Sequence, residues 1–386
     1  MSVFIGRNRQ ARQGYGFDEI TLVPTTKTVD IQDIDVSIKI GDIKLEIPII
    51  ASAMDGVVNP EFAILLGKLG GLAVLNLDGI YTRYENPTKI IKKIIEAKDS
   101  NSTQIIQDVY KESVKEKLIT KVIEQIKKEN VLCAVSTTPK NAEAYSKLAK
   151  KAGCDVFVIQ STVTAAKFIS TKQESVNLKK IVENLGIPVI IGNTVTYEAA
   201  FELMETGCAG ILVGIGPGAA CTTRGVLGIG VPQATAAIDC AQARDDYYKK
   251  TKRYTSIIID GGMIVSGDIC KAFACGSDCV MIGSGFVRAK ESPAKGYHWG
   301  MATSHKNLPR GTRIYLGILG TLKEILFGPA KTDEGLQNLI DALKTSMGSL
   351  GAKNIKEMQK VELMLAPGIK TEGKVFQKAQ KVGMGK

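Results

Sequence analysis

Eight short runs of apolar, largely β-branched residues recur along this chain with polar or amphipathic stretches between them, and that alternation limits the possible folds more than any other feature. The runs are PIIASAM (48–54), GLAVLNL (71–77), LCAVST (132–137) and DVFVIQST (155–162), then PVIIGNTV (188–195), GILVGIG (210–216), SIIIDGG (256–262) and CVMIGS (279–284). They are apolar along their length rather than at every second position, which suits strands of a parallel sheet covered on both faces. Amphipathic stretches at 142–152, 175–185, 196–207 and 266–276 separate them. Asp, Ser, Thr or Asn stands near their starts, and Gly153, Gly186, Gly207 and Gly276 stand near their ends, as helix boundaries require. Eight strands alternating with helices over about 240 residues predict a TIM (β/α)8 barrel, since a doubly wound sheet usually has fewer strands. Residues 1–386 read as a single catalytic barrel domain with two departures from the bare pattern. The connection 78–131 is long and is predicted to carry two helices. Residues 293–318 are irregular, Gly-rich and polar, as an active-site flap is, and 335–386 form a C-terminal helix and tail.

Composition narrows the class. An apolar fraction of 44% and a charged fraction of 23% are those of a globular protein, and no apolar run approaches the length of a membrane span. Residues 1–13 are basic and lack the apolar core of a signal peptide, so a cytoplasmic location is expected. Eight cysteines in a long chain without an export signal are expected to be reduced, and most occupy apolar or helical contexts. With no Cys-x-x-Cys pair and only His298 and His305, a zinc site is not expected. The net charge of +11 is spread over helical segments such as IIKKIIEAK and reads as a solvated lysine surface. Attraction of anionic small molecules or of nucleic acid is the alternative, but no helix-turn-helix, RNA-recognition or zinc-finger pattern accompanies it. Neither nucleic acid nor membrane is an expected partner.

Reacting groups of such barrels sit at the C-terminal strand ends, and phosphate is often held after the seventh and eighth strands. Here the seventh run ends in Asp260-Gly261-Gly262 and the eighth in Gly283-Ser284. Glycines let backbone N–H groups approach phosphate oxygens, Ser284 adds a hydroxyl donor, and Asp260 can accept from a ribose diol. The sixth run opens into VGIGPGAACTTRG (213–225), whose glycine spacing imitates a dinucleotide fingerprint. That fingerprint needs a helix to start at the glycines, yet Pro217 and the polar residues after it delay one to about residue 231. Cys221 instead lies in a polar loop beside Thr222, Thr223 and Arg224, where a guanidinium would favour a thiolate.

The loop GIGPGAACTTRGVLGIGVPQATA resembles the catalytic loop of the IMP dehydrogenase/GMP reductase family. The same family is suggested by IIASAMD (49–55), IIGNTVT (190–196), IIDGGMIVSGDICKAFACGSDCVMIGS (258–284) and LKTSMGSLGAKNIKEMQ (343–359), in the right order along nearly the whole chain. The short 78–131 connection leaves no place for the paired regulatory CBS modules, a pattern similar to the CBS-less branch of cyanobacteria and actinobacteria. The resemblance implies that Cys221 attacks C2 of the purine, forming a thioimidate while hydride passes to or from a nicotinamide (NAD or NADP), with Thr223 assisting proton transfer. It implies that Ser52, Gly261, Gly262, Gly283 and Ser284 hold the nucleotide phosphate and Asp260 the ribose, while the backbone of Met301 and Ala302 meets the base. Gln160, Ser161 and Asn193 would lie toward the nicotinamide, and the carbonyls of Gly216, Gly218 and Cys221 would hold a potassium ion. A homotetramer is the expected assembly, without an allosteric ATP or GTP site.

Departures from the family pattern bear on the reaction. No Arg-Tyr pair follows GMAT in the shortened flap, and LPRGTRIYLG (308–317) has Arg310 where GMP reductases carry a glutamate. Ala219 replaces a serine, Leu212 an arginine, Gln160 an aspartate, and His298-Trp299 a Tyr-Arg pair beside the base. Expelling ammonia from GMP needs a proton donor, and a carboxylic acid is the natural one. Oxidation of IMP to XMP needs hydride removal and then water, which Arg310 or Arg313 could assist. IMP oxidation is therefore the expected reaction, with GMP reduction to IMP and purine nucleotide binding without turnover as the alternatives.

Overall fold

All eight apolar runs become strands of one closed parallel barrel in the computed structural model, which describes residues 2–170, 176–301, 312–366 and 374–383. The strands are β1 (Ile49–Ala51), β2 (Leu72–Asn76), β3 (Ala134–Thr137), β4 (Val156–Gln160), β5 (Val189–Thr194), β6 (Gly210–Val213), β7 (Ser256–Asp260) and β8 (Cys279–Ile282). Each pairs with its neighbours in sequence, and β8 closes on β1 with Val280 opposite Ile49 and Ile282 opposite Ala51. The strands are buried nearly throughout, which is why they read as continuous apolar runs. Several strands are shorter than their runs. The surplus residues, 52–54, 214–216, 261–262 and 283–284, leave the sheet at its C-terminal rim.

The surrounding helices are α1 (Pro60–Lys68), α2 (Pro87–Ile95), α3 (Asp99–Val109), α4 (Glu116–Lys127), α5 (Pro139–Lys151), α6 (Leu178–Leu185) and α7 (Tyr197–Met204). They continue as α8 (Thr223–Leu227), α9 (Gln233–Thr251), α10 (Ser266–Ala274), α11 (Ser284–Val287), α12 (Leu322–Phe327) and α13 (Leu339–Ser349). The 78–131 connection holds three α-helices, not two. Helix α4 is the crossover that packs on α1 and α5, while α2 and α3 are additions. The third helix escapes a periodicity reading because α3 begins DSNSTQ and buries little besides Ile106 and Val109. Two segments far apart in sequence pair, unforeseen by the sequence: Leu363–Leu365 runs antiparallel to Ile20–Leu22.

Two close approaches shape the rim. A Cβ on Gly192 would lie 2.5 Å from Leu212 Cβ, so β5 and β6 touch only because that residue is glycine. One residue later the β5–β6 register slips between Gly192 and Thr194. Such an irregularity re-aims a side chain, and here the residue is Asn193.

Candidate active site

Two side chains from β4 and β5 and one from the residue that follows β1 converge on Asp260 at the end of β7. Asn193 donates from Nδ2 to Oδ2 at 2.8 Å, Gln160 from Nε2 to Oδ2 at 3.2 Å, and Ser52 from Oγ to Oδ1 at 3.5 Å. Gln160 also donates to Asn193 Oδ1 at 3.0 Å. Burial pushes the Asp260 carboxyl above its ordinary pKa, and hydrogen bonds from Asn193, Ser52 and Gln160 oppose it. No cation figures among these influences. Its Oδ1 keeps acceptor capacity beyond one long bond, enough for a hydroxyl from outside the protein.

Strands β7, β8 and β1 are neighbours in the barrel, which gathers the expected substrate residues. Gly283 lies against the Ser52 side chain, where a Cβ would come within 3.5 Å of Oγ. Ser284 Oγ faces His298 Nε2 at 3.4 Å. Gly261 and Gly262 both adopt left-handed φ values, +81° and +80°. A Cβ on Gly261 would sit 3.3 Å from Gly218 N and from Pro217 Cγ, so this turn forms a seat for the cysteine loop.

Cys221 is exposed, whereas the other seven cysteines are buried. Its Sγ lies 3.2 Å from Thr223 Oγ1, and its backbone N–H donates to Gly218 O at 3.0 Å in a tight turn. The loop is not wholly non-helical before residue 231, because α8 occupies Thr223–Leu227. Nor does Arg224 serve the thiol in the way its position in sequence suggests. It donates from Nη2 to Val231 O at 2.7 Å and from Nε to Ile215 O at 3.4 Å, tying the two ends of the loop together.

The flap is framed by an antiparallel pair, β9 (Tyr297–Trp299) and β10 (Arg313–Tyr315). Arg313 is an anchor and not a free group for water activation. It donates to the carbonyls of Ile94 (2.6 Å) and Ile95 (3.1 Å) at the end of α2, pairs with Asp99, and lies over the Tyr297 ring. Trp299 Nε1 donates to Tyr110 Oη at 2.9 Å, and the Tyr110 hydroxyl lies 2.6 Å from Asp55 Oδ2 and 3.2 Å from Met301 Sδ. The two added helices thus reach the base of the flap. At the other end, Thr312 N donates to Ala220 O at 3.3 Å, so the flap returns onto the cysteine loop. Ala302 and Arg310 lie outside the described residues.

The amides expected on the cofactor side, Gln160 and Asn193, are joined to the substrate-side Asp260 in one network. Ser161 turns its hydroxyl back to its own loop, donating to Val163 O at 2.8 Å. The carbonyl of Gly218, one of three proposed potassium ligands, already accepts from Cys221 N and retains a second lone pair. Gln233 escaped the sequence reading: it donates to Val213 O at 2.8 Å and to Asp260 O at 3.4 Å from the first turn of α9. Only its place directly after Pro232 could have signalled it.

A (β/α)8 barrel whose rim presents a half-buried acid, glycines at the ends of two adjacent strands and a single exposed cysteine defines a barrel enzyme acting at its C-terminal strand ends. Residues 14–313 match the IMP dehydrogenase / GMP reductase domain. An "uncharacterized oxidoreductase" of Mycolicibacterium smegmatis is 36% identical over 370 residues, covering 94% of this chain and 99% of that protein. The inosine-5'-monophosphate dehydrogenase of Cryptosporidium parvum is 32% identical, with 90% of each chain covered. Among solved structures, the IMP dehydrogenase/GMP reductase-like protein of Corynebacterium glutamicum superposes with a TM-score of 0.89 at 35% identity, over 94% of this chain and 97% of that one. The chain belongs to the IMP dehydrogenase/GMP reductase family and is an oxidoreductase of that family.

Proposed function

We propose that this protein oxidises IMP to XMP through a covalent adduct on Cys221. The observation that carries the reading is the exposed thiol, 3.2 Å from Thr223 Oγ1, on a loop seated against the Gly261–Gly262 turn of the rim. The Cys221 thiolate adds to C2 of the hypoxanthine, and the C2–H bond then breaks with its electron pair leaving as hydride. A bound nicotinamide supplies the acceptor for that hydride. Water next adds to C2 of the thioimidate, the C–S bond breaks, and the thiolate is released with loss of one proton. Thr223 is placed to relay protons to and from sulfur. Asp260 accepts from the ribose hydroxyls, and Ser52, Gly262, Gly283 and Ser284 surround the phosphate.

The residues present suit a nicotinamide ribose or carboxamide. Gln160 spends its Nε2 on Asn193 and Asp260, which leaves its side-chain oxygen to accept from a ligand. The carbonyls of Gly216, Gly218 and Cys221 are hard oxygen donors of the kind an alkali cation takes. The direction of reaction rests on the sequence of the 308–317 segment, which holds no acid to protonate departing ammonia and carries Arg310 where GMP reductases carry a glutamate. Purified protein given IMP and NAD or NADP should accumulate reduced nicotinamide, faster with potassium than with sodium. Consumption of NADPH with GMP, without oxidation of IMP, would reverse the assignment. Tight IMP binding with no turnover and no labelling of Cys221 by a 6-chloropurine nucleotide would favour a binding protein.

A further inference from the structure

The chain has one tryptophan, and the fold buries it whole and ties its N–H to a helix that lies outside the bare barrel. Trp299 Nε1 donates at 2.9 Å to the hydroxyl of Tyr110, the residue that closes the C-terminus of α3. That hydroxyl has one proton to give. The Asp55 carboxylate at 2.6 Å takes it, which leaves Met301 Sδ, at 3.2 Å, as a packing contact against the same oxygen.

Asp55 is itself fixed. Its Oδ2 also accepts from the Ile80 N–H at 2.8 Å, and its other oxygen occupies space that a Cβ on Gly79 would fill. Asp55, Tyr110 and Trp299 are all buried, so a partner lost from this chain of bonds is not replaced by bulk water. The same insertion grips the other strand of the hairpin. Arg313, the residue paired with Trp299, donates to the carbonyls of Ile94 and Ile95 at the end of α2. Helices α2 and α3 thus each hold one strand of β9–β10, and Met301 follows Trp299 by two residues. A backbone held this firmly before a ligand arrives is preorganised for it.

We propose that Tyr110 is a positioning residue for the purine base: it holds Trp299, and through it the backbone of Met301, at the place where the base edge arrives. This inference rests on the reading that the backbone at 301–302 meets the base. The α2–α3 insertion is then part of the nucleotide site. It acts on the base alone, because the groups assigned to ribose and phosphate are built into the strand ends themselves.

IMP and ribose 5-phosphate differ by the base, so calorimetric titration of both isolates the effect. Tyr110→Phe removes the hydroxyl and keeps the ring. It should weaken IMP about tenfold, the scale of one hydrogen bond lost from a buried network, and leave ribose 5-phosphate little changed. Trp299→Phe removes the donor from the other side and should do the same, and the double variant should lose no more than either alone. If Tyr110→Phe fails to fold, Trp299→Phe carries the comparison. Equal losses for both ligands, unchanged IMP affinity or additive losses would overturn the proposal and leave the base contact standing. Wild-type protein that binds ribose 5-phosphate as tightly as IMP would remove the base contact at 301–302 itself, and the role of Tyr110 with it.

Discussion

Cys221 and Asp260 work under opposite conditions. The thiol is exposed, next to a hydroxyl, and seven buried cysteines show what the fold does with the residue when no chemistry is asked of it. Cys221→Ala should abolish turnover and leave IMP affinity nearly intact; substantial residual turnover would sink the assigned nucleophile. Asp260 is half-buried among neutral donors, and the burial it has raises its pKa above the ordinary carboxylate value. Protonation therefore begins at a higher pH than for a solvated aspartate and removes the acceptor that the proposed ribose contact needs. IMP binding should weaken as the pH falls toward that raised value. Asp260→Asn should weaken IMP at neutral pH by about tenfold and lose this acid limb, while the phosphate's own titration stays common to both proteins. Cys221 and Asp260 were legible in the sequence because loop polarity and strand-end position are local properties. Gln233 was not, since its meaning depends on the Val213 and Asp260 carbonyls that the fold brings to its amide.

At the scale of elements, the rim is set by what lies just outside the regular strands. The eight strands could be read directly, because burial on both faces leaves an uninterrupted apolar signature. The slip at Asn193 could not, since register is a property of two strands and the residues around 193 read as one more apolar run. The flap gives the same lesson: TRIYLG looks like loop until Arg313–Tyr315 finds Tyr297–Trp299. Arg313 is the clearest case, because the sequence offers it as a chemical group and the fold uses it to hold the end of α2. Its side chain is only 5% exposed, and its donors serve the carbonyls of the last turn of α2, where intrahelical N–H partners run out. Arg313→Ala should destabilise the protein by about 2 kcal/mol, read by urea unfolding, because buried acceptors lose a charged donor. It should lower kcat as well, through a loosened flap. Unchanged stability with abolished turnover would return Arg313 to the chemistry.

On the scale of the whole molecule, the barrel separates chemistry at one rim from stability at the other. Asp278, just before β8, is 3% exposed and sits at the N-terminal rim. It accepts from Arg244 at 3.1 Å, Tyr254 at 2.6 Å, Gln359 at 3.0 Å and the Ile257 N–H at 2.9 Å, and it pairs with Lys356. These contacts join α9, β7, β8 and the segment after α13. Most other ion pairs, such as Lys92–Glu96 and Lys147–Glu143, are exposed on helix surfaces and contribute little. Burial alone would raise the Asp278 pKa, but the charges of Arg244 and Lys356 and the hydrogen bonds from Lys356 and Tyr254 hold it below 3.8. A depressed folded pKa means its stabilisation is complete above the unfolded value of about 3.9 and is lost as the pH falls through the folded value. Asp278→Asn removes one partner of a buried pair and should cost about 3–5 kcal/mol. It should also shrink the stability lost between neutral and acid pH, seen as a smaller fall in Tm. Because that rim is remote from Cys221, kcat per folded molecule should stay near the wild-type value at moderate temperature. A variant with unchanged Tm but lost turnover would show that the two rims are not separate.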